Sequence, residues 1–208
     1  MAANLPGPNT SQKMNLNDAR KRLLELLIRD SFQYSETDVF KLASGKMSPY
    51  YINCKKTTYN AEAMNLIGEI LFQKVFPLDV DGIGGLTLGA DPIALAVSMI
   101  SFQKGKPVNT FVIRKKPKEH GLKYSIEGNL EGIKRVVIVE DVITTGQSTI
   151  EAVTKAKEAG LEIVKVIALV DREEGGKEEV LKSVSNFEAL FTKTEIFSHY
   201  LALKSSAR

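Results

Sequence analysis

The stretch VVIVEDVITTGQSTIEAVTKAKEAGLEIVKVIALV, residues 136–170, decides the fold. It opens with four β-branched apolar residues, breaks at Glu140 and Asp141, turns through a Thr/Gly/Ser-rich segment, and continues as a helical pattern over 147–159. A second β-branched run then occupies 162–170. Short apolar runs on either side of a helical segment read as a βαβ unit, whose two strands lie parallel and are covered on both faces. The same alternation extends upstream: a strand near Val80–Ile83, a helix over 91–103, a strand over 109–113, a charged loop, and the strand 135–140. The expectation is an α/β fold, a parallel sheet of about five strands flanked by helices and joined by right-handed crossovers. Before it come an amphipathic helix over 17–30, with Leu23, Leu24, Leu27 and Ile28 on one face, and a short strand around Tyr50 to Cys54. A helix over 60–76 follows, with Asn60 as N-cap and Pro77 as stop. Residues 16–58 and the C-terminal segment should form a small cap, or hood, over one sheet edge, with the core at about 59–185. Residues 1–15 read as a disordered lead.

At 208 residues, 43% hydrophobic and 25% charged, the chain suits one globular domain with a sizeable core. Even the apolar run IALAVSMI (93–100) is too short to span a bilayer, so no membrane partner is expected. The opening MAANLPGPNTSQK has neither a basic n-region nor an apolar h-region, which points to the cytoplasm. The single cysteine, Cys54, and two histidines, His120 and His199, argue against a protein-built zinc site, so any metal must lean on oxygen ligands. A net charge of +3 is too small to argue for nucleic acid. It is unevenly placed, however: seven Lys or Arg stand against one acid, Glu119, between Lys104 and Lys123, the composition of an anion-binding loop.

In open parallel sheets, ligands bind beyond the carboxyl ends of the strands. Glu140 and Asp141 are expected at such an end, and Thr144, Thr145, Gly146, Gln147, Ser148 and Thr149 lead directly into a helix. Backbone N–H groups and hydroxyls around a helix N-terminus make a phosphate cradle. Neither G-x-x-x-x-G-K-[ST] nor G-x-G-x-x-G is present, so this is not a Walker loop or a dinucleotide fingerprint. Two carboxylates next to a bound phosphate would repel it unless something intervened. A ribose fits, its hydroxyls on the acids and its 5-phosphate in the loop. Asp171 and Arg172, taken alone, read as a surface ion pair after the last strand.

With these residues in view, VVIVEDVITTGQST (136–149) resembles the phosphoribosyl diphosphate (PRPP) motif of the type I phosphoribosyltransferases. LASGKMSPYYIN (42–53), RKKPKEHG (114–121) and DREEGG (171–176) are similar in order and spacing to segments of the orotate phosphoribosyltransferases. The resemblance implies the type I phosphoribosyltransferase fold and transfer of the phosphoribosyl group from PRPP to orotate N1. The products are orotidine 5'-phosphate and diphosphate, a step in pyrimidine (UMP) synthesis. It implies PRPP contacts from Arg114, Lys115, Lys118 and His120, and from Glu140, Asp141, Val142, Ile143, Thr144, Thr145, Gly146, Gln147 and Ser148. Catalytic roles fall to Lys118, Arg114, His120 and Asp141; orotate contacts fall to Thr144, Arg172 and Tyr51. It further implies Mg²⁺ held by substrate oxygens without direct protein side-chain ligands. The partner is a second copy of the chain, with the loop 114–120 of each subunit closing over its neighbour's site. Two positions depart from the pattern: many members carry lysines where Ala43 and Leu88 stand. Two other functions share the scaffold, a purine phosphoribosyltransferase and a PRPP-sensing regulator.

Overall fold

The computed structural model describes residues 15–37, 39–41, 47–116 and 125–206. Helix α1 (Leu16–Asp30) starts at Asn15, whose side chain accepts a hydrogen bond from Asn17 N–H at 3.0 Å. Its buried face comprises Ala19, Leu23, Leu24, Leu26, Leu27 and Ile28. Strands β1 (Phe32–Tyr34), β2 (Phe40–Lys41), β3 (Met47–Ser48) and β4 (Tyr50–Ile52) form two antiparallel ribbons, β1 with β4 and β2 with β3. The short helix α2 (Lys55–Thr58) leads to α3 (Ala61–Val75), where Asn60 accepts from Ala63 N–H at 3.1 Å. Pro77 sits in a single 3₁₀ turn that ends this helical stretch, since a proline lacks the N–H that a continuing helix needs.

From Gly82 the chain alternates: β5 (Gly82–Leu86), α4 (Asp91–Gln103), β6 (Asn109–Ile113), β7 (Ile126–Glu127), β8 (Arg135–Ile143), α5 (Gln147–Glu158), β9 (Glu162–Asp171), α6 (Gly176–Leu181), β10 (Phe187–Thr192) and α7 (Lys193–Ser206). The sheet order is β10-β9-β8-β5-β6-β7. Five of these strands run parallel, and the two-residue β7 adds an antiparallel edge against β6. The sheet therefore extends past residue 185, because Phe187–Thr192 pairs with β9.

Both sheet faces are dry, as parallel strands require. Val137 and Val139 of β8, with Ile83, Ile167 and Leu169, pack against α1, α3 and α4. Val136 and Ile138, with Val166 and Ala168, pack against α5. Truncating one of these fully buried large side chains, such as Phe111→Ala, costs about 3–5 kcal/mol. The chain builds β5, moves outward to β6 and β7, then returns to the other side of β5 for β8, β9 and β10. Connections consequently leave the carboxyl ends of β5 and β8 in opposite directions, which opens a crevice between them. Strand β8 does not stop at the two acids: Val142 pairs with Val170 and Ile143 with Asp171. Glu140 and Asp141 thus lie inside the strand, two or three residues before its end, and the turn begins at Thr144.

Beyond the sheet, α7 returns to the amino-terminal elements. Arg20 bridges Glu195 at 2.7 Å, and Phe32 and Tyr34 pack against Phe197 and Tyr200. No helix among the described residues is long and apolar enough to cross a membrane.

Candidate active site

At the carboxyl end of β8 the chain turns through Thr144, Thr145 and Gly146 into α5. Gly146 occupies the N-cap with φ +82°, a left-handed conformation that a side chain disfavours, and no side chain caps the helix. The first turn of an α-helix has N–H groups without intrahelical acceptors, so this end of α5 presents donors and a positive dipole. Behind the turn lies the segment 175–176. A Cβ on Gly176 would stand 2.5 Å from Thr144 O and 2.9 Å from Gly146 N, so the loop rests directly on this second backbone. In front is a cavity of about 350 Å³ lined by Glu140, the segment 142–149, and Arg172. The cavity brings Val142, Ile143, Thr144, Thr145, Gly146, Gln147 and Ser148 together with Glu140 and Arg172.

The acids lie beneath this cradle. Glu140 and Asp141 are 7% and 3% exposed, so neither is solvated as a surface carboxylate would be. Glu140 lies on the α5 side, 3.5 Å from the Thr149 hydroxyl, and it also accepts from Asp141 N–H at 3.3 Å. Burial, and then the adjacent Asp141 charge, push its carboxyl from the ordinary 4.5 up to about 8. Glu140 therefore keeps its proton to higher pH than an ordinary carboxyl, which weakens one of the two charges that would oppose a phosphate in the cradle. Asp141 accepts from Val142 N–H at 2.9 Å and from Lys55 Nζ at 2.8 Å. Partial burial disfavours the Lys55 ammonium, but the hydrogen bond and charge of Asp141, aided by Glu140, hold its pKa above the ordinary value. The backbone of Gly89 closes over both carboxyls, leaving no room there for a side chain. Neighbouring Cys54 is buried and its thiol pushed up, first by that burial and then by Asp141, so it stays protonated and unreactive.

On the far side of the cavity Arg172 is 7% exposed, which excludes the surface ion pair as its explanation. Its Nη2 stands 2.8 Å from Glu174 Oε1, yet Nε and Nη2 make no hydrogen bond among the described residues, since the pair is poorly aligned. A buried guanidinium with unused donors is built to receive a planar acceptor. The ring nearest to it is that of Tyr50, 6.0 Å away, with Lys193 Nζ 5.4 Å from the same ring. Tyr51 is not brought to Arg172: strand alternation turns it away, and it stacks on Phe40 at 6.0 Å.

A second cavity, of about 570 Å³, receives Lys55, Thr87, Leu88, Arg114, Lys115 and Glu127 on its walls. Arg114 bridges Glu127 at 3.2 Å, and Lys155 of α5 donates to the carbonyls of Arg114 and Lys115 at 2.7 and 3.1 Å. The root of the basic loop is thereby tied to the helix that bears the phosphate cradle.

Residues 92–198 match the phosphoribosyl transferase domain family. The chain is 44% identical over 177 residues to the orotate phosphoribosyltransferase of Aquifex aeolicus, which spans 85% of this chain and 97% of that protein. The chain belongs to the orotate phosphoribosyltransferases. The Mycobacterium tuberculosis orotate phosphoribosyltransferase in complex with Fe(III) dicitrate superposes with a TM-score of 0.74 at 34% identity, covering 86% of this chain and 98% of that one. The same enzyme in complex with PRPP gives 0.68 at 29% identity, covering 86% and 92%.

Two positions are set apart by the resemblance because lysine is expected there in many members. Leu88 is exposed beside Lys55, whereas Ala43 lies outside the described residues, as do Lys118 and His120. Reasoning from the sequence missed Lys55, Gly89, Gly176, Glu174 and Tyr50. The glycine pair in DREEGG is the one local signal among these, and glycines alone do not say what they support. Among the described residues no group of three or more His, Cys, Asp or Glu could hold a metal ion. With Asp141 engaged by Lys55 and Glu140 inclined to keep its proton, these side chains offer a metal ion few free carboxylate oxygens of their own.

Proposed function

We infer that this chain transfers the 5-phosphoribosyl group from PRPP to orotate N1, yielding orotidine 5'-phosphate and diphosphate for UMP synthesis. The observation that carries this reading is the cavity joining a phosphate cradle at the start of α5, the buried acid Glu140 and an Arg172 with unused donors, with Asp141 buried next to Glu140 on the same strand. The 5-phosphate sits against Thr144–Ser148, and the ribose hydroxyls meet Glu140 and Asp141. The Arg172 fork takes the oxygens of orotate, with Thr144 beside the ring. Tyr50 supports Arg172 from the hood, and this geometry favours it over Tyr51. The bond from the anomeric carbon to the diphosphate oxygen breaks with its electron pair leaving on oxygen. Orotate N1 forms the new C–N bond, and the proton it loses ends on the departing diphosphate. No protein nucleophile takes part; the enzyme holds the ring, orients the base and stabilises the leaving charge.

Arg114 and Lys115 approach the diphosphate from the second cavity, and the family resemblance adds Lys118 and His120 beyond them. Mg²⁺ held through substrate oxygens supplies further neutralisation of the diphosphate when bound. The chain acts in the cytoplasm as a homodimer in which the basic loop serves the neighbouring site. Support for the dimer comes from α4, where Leu95, Met99 and Phe102, spaced along one face, are all exposed.

Orotate absorbance followed with PRPP and Mg²⁺, with uracil and hypoxanthine as control bases, tests the reaction. Consumption of orotate alone is the expected result. Consumption of hypoxanthine instead would assign a purine enzyme, and PRPP binding with no base consumed would assign a regulator. For the dimer, mixing Lys118→Ala subunits with Asp141→Asn subunits should restore part of the activity; no recovery places the loop's action within one chain.

A further inference from the structure

We propose that Lys55 is a catalytic residue of this chain, a cation delivered by α2 to the sugar end of the diphosphate, where the Leu88 position carries no charge. The inference rests on the transferase reading above. Three observations lead to it. First, Lys55 is tied to the sugar-binding acid, its Nζ 2.8 Å from Asp141 Oδ2. Second, an ammonium has three protons; Asp141 takes one, and the side chain is 47% exposed, so the remaining donors face open space. Third, that space is the second cavity, where Arg114, Lys115 and Lys116 also stand, against the single acid Glu127.

Lys55 thus lies at the junction between the carboxylate that receives ribose hydroxyls and the cavity that accumulates positive charge. A hydroxyl donated to Asp141 competes directly with the Lys55 hydrogen bond. Release of the ammonium from Asp141 frees it for the anion that enters beside it. In the empty enzyme the pair keeps a buried carboxylate compensated; with substrate, the same lysine meets the oxygen on which charge develops as the anomeric bond breaks. Leu88 stands on the same cavity wall and is exposed, so no other charge comes from that position. This role differs from simple positioning of Asp141, and the difference is measurable, because only a diphosphate contact distinguishes PRPP from ribose 5-phosphate.

The test is calorimetric titration of wild type, Lys55→Gln and Lys55→Arg with PRPP and separately with ribose 5-phosphate, both with Mg²⁺, alongside turnover with orotate. Lys55→Gln should bind PRPP about 10- to 100-fold more weakly, the range of a charge-assisted hydrogen bond, and should bind ribose 5-phosphate within about threefold of wild type. Lys55→Arg should recover most of the PRPP affinity and part of the turnover. Equal weakening toward both ligands would reduce Lys55 to a support for Asp141 and overturn the proposal, as would unchanged PRPP affinity in Lys55→Gln. Absence of orotate turnover in the wild type would refute the transferase reading instead, while the comparison of the two ligands would still decide the role of Lys55.

Discussion

Replacing Glu140 by glutamine isolates the ionisation of one buried acid. In the unfolded chain this carboxyl loses its proton near 4.5; in the folded chain burial and the neighbouring Asp141 hold the proton until about 8. Between those values the folded state binds more protons than the unfolded state. Stability must therefore fall as pH rises through this window and level off above it. At about 1.4 kcal/mol per tenfold change in proton affinity, the ceiling on the loss is about 5 kcal/mol. The charges of Asp141 and Lys55 stand beside this carboxyl and oppose one another, so the effect should fall on the order of 2–5 kcal/mol. Glutamine keeps the shape and the hydrogen-bonding capacity of a protonated glutamate but cannot ionise. At about pH 5 the two proteins should therefore be close in stability, and at about pH 9 Glu140→Gln should be the more stable. Urea unfolding at several pH values reads the difference directly: for an m-value of about 2 kcal/mol/M, the midpoints should separate by about 1–2.5 M at the alkaline end. Titrating groups remote from this acid are common to both proteins and cancel in the comparison. Parallel curves would refute the reasoning, since they would mean that Glu140 is already ionised in the folded enzyme and that Lys55 compensates both acids.

Gly176→Ala should push the phosphate loop off its support, because the added methyl meets Thr144 O at 2.5 Å. A stability loss of about 1–3 kcal/mol, with PRPP affinity falling at least about tenfold by calorimetry, is expected for overpacking against backbone. Arg172→Lys should raise the KM for orotate by about 10-fold or more, since an ammonium lacks the planar fork, while PRPP affinity stays near wild type. Loss of PRPP binding in that variant would place Arg172 in the sugar site. Glu188 lies between Lys74 and Lys165; burial opposes its charge, but the hydrogen bonds and charges of the two lysines outweigh this and hold its pKa below the ordinary value. Its contribution is present above the ordinary carboxylate range and is lost as pH falls through the depressed value. Glu188→Gln should accordingly lower stability at neutral pH by about 1 kcal/mol, the scale of a partly exposed pair, and flatten the acid limb of the stability curve measured by urea unfolding.

How much of this was legible in the sequence follows from the range of each interaction. The sheet was readable because β-branched runs announce strands locally, and α4, β6 and α5 fall close to where periodicity puts them. The phosphate cradle was readable for the same reason: Thr144 through Ser148 make their site from contiguous backbone. Where a partner comes from elsewhere in the chain, the signal vanishes. The apolar pattern of β8 breaks at Glu140, but pairing with β9 carries the strand on to Ile143, and that pairing is invisible in the residues of β8 alone. Tyr50 and Tyr51 sit on a three-residue strand, too short for alternation to fix which ring faces inward; β1 across the ribbon fixes it. Phe187–Thr192 carries Glu188 in its interior and looks like a poor strand until Lys74 and Lys165 are found on either side of that acid.

Lys55 marks the limit most clearly. Its partner Asp141 is 86 positions away, and in the sequence Lys55-Lys56 is only a pair of charges that follows a short strand. Yet the need for such a partner could be stated in advance: a buried carboxylate without compensation incurs a desolvation cost that the fold must offset. The two acids meet that demand by different means, Glu140 by keeping its proton and Asp141 by recruiting an ammonium. Sequence chemistry therefore specifies that a site of this kind needs a cation, and topology specifies which one. Because α2 approaches the carboxyl end of β8, the cation comes from a short helix that precedes the sheet in sequence, and no local motif connects it to the acid it compensates.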